Sequence, residues 1–545
     1  MKALLQKLTK YPFFVLWVIL CLLYLPARRA GFVTDAIDWL QDIHSLGFWD
    51  YLNRSNSTIH ALYQFTQLSS LGFYKLFGVH RLPWFLLFTL LQAVNGYLLF
   101  KICKNFFQDA RLKNAGQVAF VGALLFCVSP YLSEVLVWKA CYHYLQSFLM
   151  MLLVLRSLQL YLKNPRKILP VFAALLFFLS SFSLEIFYLT PILSASIIWF
   201  YSKIERPNKS NAVKTLLLFV LPQVLVFGFH LLLFHRVYGE WISHGNSGIL
   251  ALPIAAHFSK FLDYIFHLFF FGRFWPQALK EKAYLFFEKP TVFFTVSALA
   301  LGLISFVILK IKSNIERRLG LLLGFWMLLA IAFVLPLPLE HLFDTAGNRY
   351  LYLVIAFAAV FFSFLGSIFL EKIIKVLLLF SFLGVSCFLT LRSNRHWQTS
   401  EQISSRLLRD FPNPNGRTII FLNLPYCYKG IPMINAWPYG NFKRMHNMLY
   451  SPSINVPAYD GAAFNMVSPN DGATAEYVND STIKITLEQW GTWWWYKDFG
   501  GYSYETPDYA LNMRDQGHWY ELTMKKPREN FLILYLRNGA WNELK

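Results

Sequence analysis

Residues 349–369 read RYLYLVIAFAAVFFSFLGSIF, a single charge at Arg349 and then twenty residues without another. An α-helix rises about 1.5 Å per residue, so this stretch is long enough to cross about 30 Å of hydrocarbon. Within lipid, only a helix or a closed barrel satisfies its own backbone polar groups. Comparable runs recur near 11–29, 83–103, 116–136, 142–162, 167–183, 185–202, 213–235, 291–311, 319–338 and 372–391, which makes eleven expected spans. The fold class expected is an all-α polytopic membrane protein.

Composition agrees with that reading. Of 545 residues, 56% are hydrophobic, 18% aromatic and 15% charged, and the mean hydropathy is +0.41. Soluble domains carry roughly a quarter charged residues, so an ordinary soluble enzyme and a disordered chain are both excluded. The net charge of +20 would suit nucleic acid, but the placement of the cations gives another explanation. With the N-terminus in the cytoplasm, the short loops on that side hold twenty Lys and Arg, and those opposite hold only Lys139. This is the orientation preference of membrane proteins, and it makes the lipid bilayer, with no nucleic acid, the expected partner. Lys2, Lys7 and Lys10 precede the first run as in a signal peptide, but no small-residue cleavage site follows, so a retained helix is expected. The six cysteines form no CxxC pair and read as small hydrophobes, with neither metal cluster nor disulfide framework.

The resulting organisation is a membrane domain over 1–391 with outer loops 30–82 and 236–290, a helical linker over 392–414, and an outer soluble domain over 415–545. In the first loop, Ala36, Ile37, Leu40, Ile43 and Leu46 recur at helical spacing beside Asp35, Asp38 and Asp42, predicting an amphipathic helix on the membrane surface. A second such stretch runs over 57–77, and Phe-rich sequence around His257, Lys260, Tyr264 and His267 suits an interfacial or re-entrant segment. In the tail, runs of β-formers over 417–422, 482–487, 518–524 and 531–536 alternate with Pro, Asn and Gly, predicting a small β-rich or α/β domain.

Several stretches carry chemical potential. Asp35 follows the first span by a few residues, at a depth where desolvation tunes a carboxyl, and Asp38 shares its helix face. Such a pair suits activating a hydroxyl or binding a cation; the alternative is a solvated polar face. Glu134, inside apolar sequence beside Lys139, needs a partner or an aqueous cavity, and both functional and structural pairing are open. Glu185 is equally readable as a turn residue. Arg349 opens a span on the outer side, where a guanidinium suits a phosphate or snorkels to headgroups, and Arg273 in Phe271-Gly272-Arg273-Phe274 is similar. Trp493, Trp494 and Trp495 suit stacking on sugar rings, or equally a domain core. No P-loop, GxSxG or HExxH pattern is present, against ATP-driven transport, serine hydrolysis and zinc proteolysis.

Together these stretches resemble the GT-C superfamily of membrane glycosyltransferases, in particular bacterial relatives of the transmembrane and tetratricopeptide-repeat O-mannosyltransferases. Gly31-Phe32-Val33-Thr34-Asp35-Ala36 is similar to the family's FVYDD stretch, with Ala36 in place of the second acid. Ser129-Pro130-Tyr131-Leu132-Ser133-Glu134-Val135-Leu136-Val137-Trp138 resembles HPxxxEAVxW, with Ser129 for the histidine. The family's following arginine is absent from Ala140-Cys141-Tyr142-His143, which leaves Lys139 or His143 to stand in for it. Asn348-Arg349-Tyr350-Leu351-Tyr352-Leu353 resembles ERYLYLP, and Arg395-His396-Trp397 after the last span is also similar. The tail lacks 34-residue helical repeats and departs from the pattern.

The resemblance implies transfer of a sugar from a polyprenyl phosphate to a protein, lipid or glycan acceptor at the outer membrane face, with inversion. Asp35 is the implied base, Asp38 and Glu134 orient acceptor or base, and Arg349, Lys139 and Arg273 hold the donor phosphate. No cofactor is required, although Asp35 with Asp38 leaves room for a divalent cation. A bacterial inner membrane with the tail in the periplasm is the expected location; the sequons at Asn53 and Asn56 fit a eukaryotic one. Two other classes stay open, a lipid-linked oligosaccharide flippase and a non-catalytic scaffold presenting the tail domain.

Overall fold

Pro12 opens a helix of the computed structural model at a position where its missing N–H costs nothing. The structure describes residues 8–58, 60–204, 209–241, 254–287, 289–337, 347–434, 441–487, 503–515 and 519–545. Helix α1 is Pro12–Tyr24, followed by the outer-loop helices α2 (Asp35–Ser45), α3 (Phe48–Thr58) and α4 (Gln64–Phe77). Then come α5 (Arg81–Asp109), α6 (Ala115–Cys127), α7 (Ser133–Val137), α8 (Tyr142–Lys163), α9 (Ile168–Ser180) and α10 (Thr190–Ser202). The remaining membrane-domain helices are α11 (Lys209–Thr215), α12 (Leu221–Tyr238), α13 (Ile254–Phe270), α14 (Gln277–Phe287), α15 (Pro290–Leu309), α16 (Asn314–Val334), α17 (Tyr352–Phe369) and α18 (Lys372–Arg409).

Seven helices among the described residues are long and apolar enough to cross a membrane: Arg81–Asp109, Lys139–Lys163, Ala212–Tyr238, Pro290–Val307, Asn314–Val334, Asn348–Phe369 and Ile373–Arg409. The eleven expected from apolar runs is therefore too many. Proline is the cause at 116–136: Ser129 ahead of Pro130 is extended, and the run bends by 50° between Cys127 and Pro130. At 167–202 the chain makes a turn at Ser181–Ser183 and a 3-10 segment at Glu185–Leu189, leaving α9 and α10 with 13 residues each. Thirteen residues rise only about 20 Å. The first run is likewise short, ending at Ala27.

Packing separates core from lipid. Small residues let helices approach: Gly122 of α6 lies against the Val360 backbone of α17, where a Cβ would sit 3.1 Å from its Cα. Leu225, Phe229 and Leu232 of α12 and Leu299, Leu303 and Phe306 of α15 are exposed, the apolar surface that a bilayer covers. All six cysteines are free thiols.

Helix α18 runs 38 residues without interruption into the polar stretch that leads to the tail. That length is about 57 Å, well beyond a bilayer core. The tail is β-rich. Strands β1 (Thr418–Phe421), β4 (Ala458–Asp460) and β11 (Phe531–Arg537) run parallel, and β12 (Ala540–Glu543) closes one edge antiparallel. A second, antiparallel sheet joins β6 (Ala473–Tyr477), β7 (Thr482–Leu487), β10 (Trp519–Met524), β9 (Tyr509–Arg514) and β8 (Tyr504–Glu505). Alternation decides β7, which buries Ile483, Ile485 and Leu487. The third sheet is β3 (Ile431–Pro432), β2 (Leu424–Tyr428) and β5 (Ala463–Met466), and the helix α19 (Asn441–Leu449) packs on α2 of the membrane domain.

Candidate functional site

The chain from Gly31 to Asp35 is strapped to the segment after α7. Lys139 donates its backbone N–H to the Gly31 carbonyl at 3.1 Å, and the Trp138 indole donates to the Val33 carbonyl at 3.1 Å. Gly31 has φ +108°, and a Cβ there would lie 1.9 Å from the Val137 carbonyl oxygen, so only glycine fits. Thr34 also takes a positive φ of 47°, a strained choice for a β-branched residue. The strain turns the chain into α2, whose first turn the Thr34 carbonyl starts by accepting from Ile37 and Asp38 at 2.8 and 3.2 Å.

This places Asp35 at the first turn of α2. Water reaches its side chain, yet protein surrounds it on most sides. That crowding raises its pKa above the ordinary carboxylate value; Arg349 opposes the rise, and the charges of Asp38 and Glu134 reinforce it. A raised carboxyl pKa brings a base closer to working pH.

The bent segment after α6 supplies the neighbour. Glu134, on α7, is 2% exposed and accepts the Arg349 backbone N–H at 2.8 Å and its guanidinium Nη1. Arg349 stands in the 3-10 turn Asn348–Leu351 that leads into α17. Its guanidinium lies over the rings of Trp138 and Tyr350, at 5.2 and 4.9 Å, and Nη2 donates to the Tyr350 hydroxyl at 3.2 Å. Asp38, one turn beyond Asp35, pairs with Arg444 of α19 at 2.5 Å.

Asp35, Asp38, Glu134 and Arg349 thus act on one another across three distant parts of the chain. Lys139 lies apart: its ammonium donates to the Val137 carbonyl at 3.0 Å, sits 4.9 Å over the Phe88 ring, and feels Glu401 and Arg81 as its charged neighbours. Arg273 is buried at the end of α13, within electrostatic reach of Tyr264. His143 stacks on Tyr63 at 5.7 Å, and Tyr63 donates to Glu185 at 3.0 Å, giving the acid read as a turn residue a partner. Trp493, Trp494 and Trp495 lie outside the described residues. Among the described residues no three His, Cys, Asp or Glu side chains come close enough to hold a metal ion, and Asp38 already has a cationic partner, so Asp35 and Asp38 fit a divalent cation poorly.

Sequence reasoning missed Arg444 and the mutual pairing of Glu134 with Arg349. The buried position of Glu134 signalled that a partner was needed; nothing local named it. No known family model matches the chain, and no curated protein matches it significantly.

Proposed function

We propose that the protein is a GT-C-like membrane glycosyltransferase that moves a sugar from a polyprenyl phosphate to an acceptor hydroxyl at the outer membrane face. The observation carrying this reading is the water-accessible, protein-surrounded carboxyl of Asp35 with the Glu134–Arg349 pair beside it. In this reading the acceptor oxygen bonds to the anomeric carbon, its proton passes to Asp35, and the bond to the phosphate oxygen breaks with its electrons leaving on phosphate. The sugar inverts in one displacement. Arg349 has further N–H groups to meet the developing charge, while Glu134 fixes its direction. Asp38, tied to Arg444, holds α19 of the tail domain next to the site, where that domain would help choose the acceptor.

The same reading places the chain in a bacterial inner membrane with the tail in the periplasm. The test is sugar transfer or hydrolysis by purified protein in nanodiscs given a panel of polyprenyl-phosphate sugars, wild type beside Asp35→Asn. Turnover that vanishes in the variant supports the enzyme; turnover untouched by it removes Asp35 from the chemistry. Absence of turnover with every donor, with no lipid retained, favours the scaffold.

A further inference from the structure

Arginines gather at a second place. A cavity of about 510 Å³ lies where α1, α5 and α18 meet, lined by Arg28, Arg29, Arg81, Arg406 and Arg409 together with Gln398, Gln402 and Ser405. Its one lining carboxylate is Glu401, whose Oε1 accepts from Arg81 at 2.7 Å and from the Ser405 hydroxyl at 2.7 Å. Arg409 pairs with Asp410 at 2.9 Å. Arg28, Arg29 and Arg406 have no carboxylate within ion-pair distance among the described residues.

So large an excess of guanidinium around one hollow is self-repelling until an anion enters it, and the planar fork of each arginine matches phosphate oxygens. The volume suits a phosphorylated or diphosphate headgroup. A second lobe of about 690 Å³ opens off the same Arg28, Arg29 and Arg81, and its other walls include Val79, Leu82 and Pro83. Leu82 is 56% exposed, and Leu25 and Leu22 at the end of α1 are 47% and 64% exposed. Charge and apolar surface therefore adjoin at the point where two apolar helices end, the arrangement that receives an amphiphile's head and the start of its tail.

We infer that this junction is a binding site for a phosphate-bearing amphiphile, separate from the Asp35–Glu134–Arg349 group. It does not rest on sugar transfer, because its residues lie outside the Asp35–Glu134–Arg349 group. Phosphate is the chemistry recognised, and two sources supply it, a lipid headgroup or a soluble phosphate.

The experiment is binding of fluorescent short-chain phosphatidic acid to the full chain in phosphatidylcholine nanodiscs, with inorganic diphosphate as competitor. The variants are Arg29→Gln with Arg406→Gln, and separately Arg406→Glu, which sits on the exposed face of α18 and tests the site if the double variant does not fold. Arg81 is spared because its loss strands Glu401. The expected result is saturable binding, weakened at least tenfold in the variants, weakened by salt, and unchanged by Asp35→Asn. Competition by diphosphate assigns recognition to phosphate alone; its failure to compete assigns it to phosphate carried on an apolar tail. Equal binding by wild type and variants, or by a phosphatidylcholine probe as tightly, overturns the inference. Loss of binding in Asp35→Asn overturns the separateness of the two sites.

Discussion

Replacing Glu134 by Gln removes one charge from a pair that is closed to water on one side and half open on the other. The Glu134 side chain is 3% exposed and that of Arg349 26%. Stripping one partner from a fully buried pair costs about 3–5 kcal/mol. Two features reduce that here. Gln keeps a carbonyl oxygen for the Arg349 backbone N–H, and the stranded guanidinium keeps Trp138, Tyr350 and some water. What is lost is one charge-assisted hydrogen bond and its Coulomb attraction, about 2–3 kcal/mol. A double-mutant cycle with Arg349→Gln isolates the pair, and its coupling should be about 1.5–2.5 kcal/mol, above the 1 kcal/mol ceiling of exposed ion pairs. The assay is reversible unfolding in mixed micelles of rising SDS fraction. A coupling below about 0.5 kcal/mol would refute the idea that these residues form one buried unit holding the 3-10 turn against α7.

Gly31→Ala should abolish accumulation of folded protein, or cost about 3 kcal/mol or more, since a clash with Val137 adds to backbone strain; detergent-solubilised yield and melting temperature report it. The folded pKa of Asp35 is raised above its unfolded value near 4, so across that window the folded state holds a proton that the unfolded state releases. Stability from this group is therefore present at low pH and lost as pH climbs through the folded pKa, and Asp35→Asn should raise the melting temperature at neutral pH while removing turnover. For the same reason the acid limb of kcat/KM should lie above the normal carboxylate range; a limb at or below it contradicts the assignment. Arg444→Glu should speed hydrogen exchange in α2 and α19, and Asp38→Arg placed with it should restore protection; the pair is about one-third exposed on each side, so the loss should stay within about 1 kcal/mol.

Much of the membrane domain was readable because a twenty-residue apolar run has few other uses. The spans failed where a run was apolar yet locally broken, at Pro130 and around Ser181–Ser183, since hydropathy averages over the break that one proline or a turn of serines introduces. Strands such as Thr482–Leu487 announced themselves as runs of β-forming residues between turn-forming ones. Asp35 was legible as an acid placed just past a span. The geometry around it was not, because Glu134 and Arg349 are 215 residues apart and Asp38 and Arg444 are 406 apart. Sequence stated the need of a buried carboxylate for a cation; only the folded chain chooses which cation. Lys139, adjacent in sequence and reasonable in charge, turns instead toward Val137 and Phe88 because the strap to Gly31 fixes its backbone.

Asp35 and Asp38 stand one turn apart on α2, and Asp38 is among the groups that raise the pKa of Asp35. Arg444, on the tail-domain helix α19, pairs with Asp38 from 406 residues away in the sequence. Docking of α19 therefore does two things through one contact. It positions a surface of the tail beside α2, and it sets a cation against one of the two carboxylates in that helix's first turn. The tail domain is thereby tied to the same helix turn that carries Asp35.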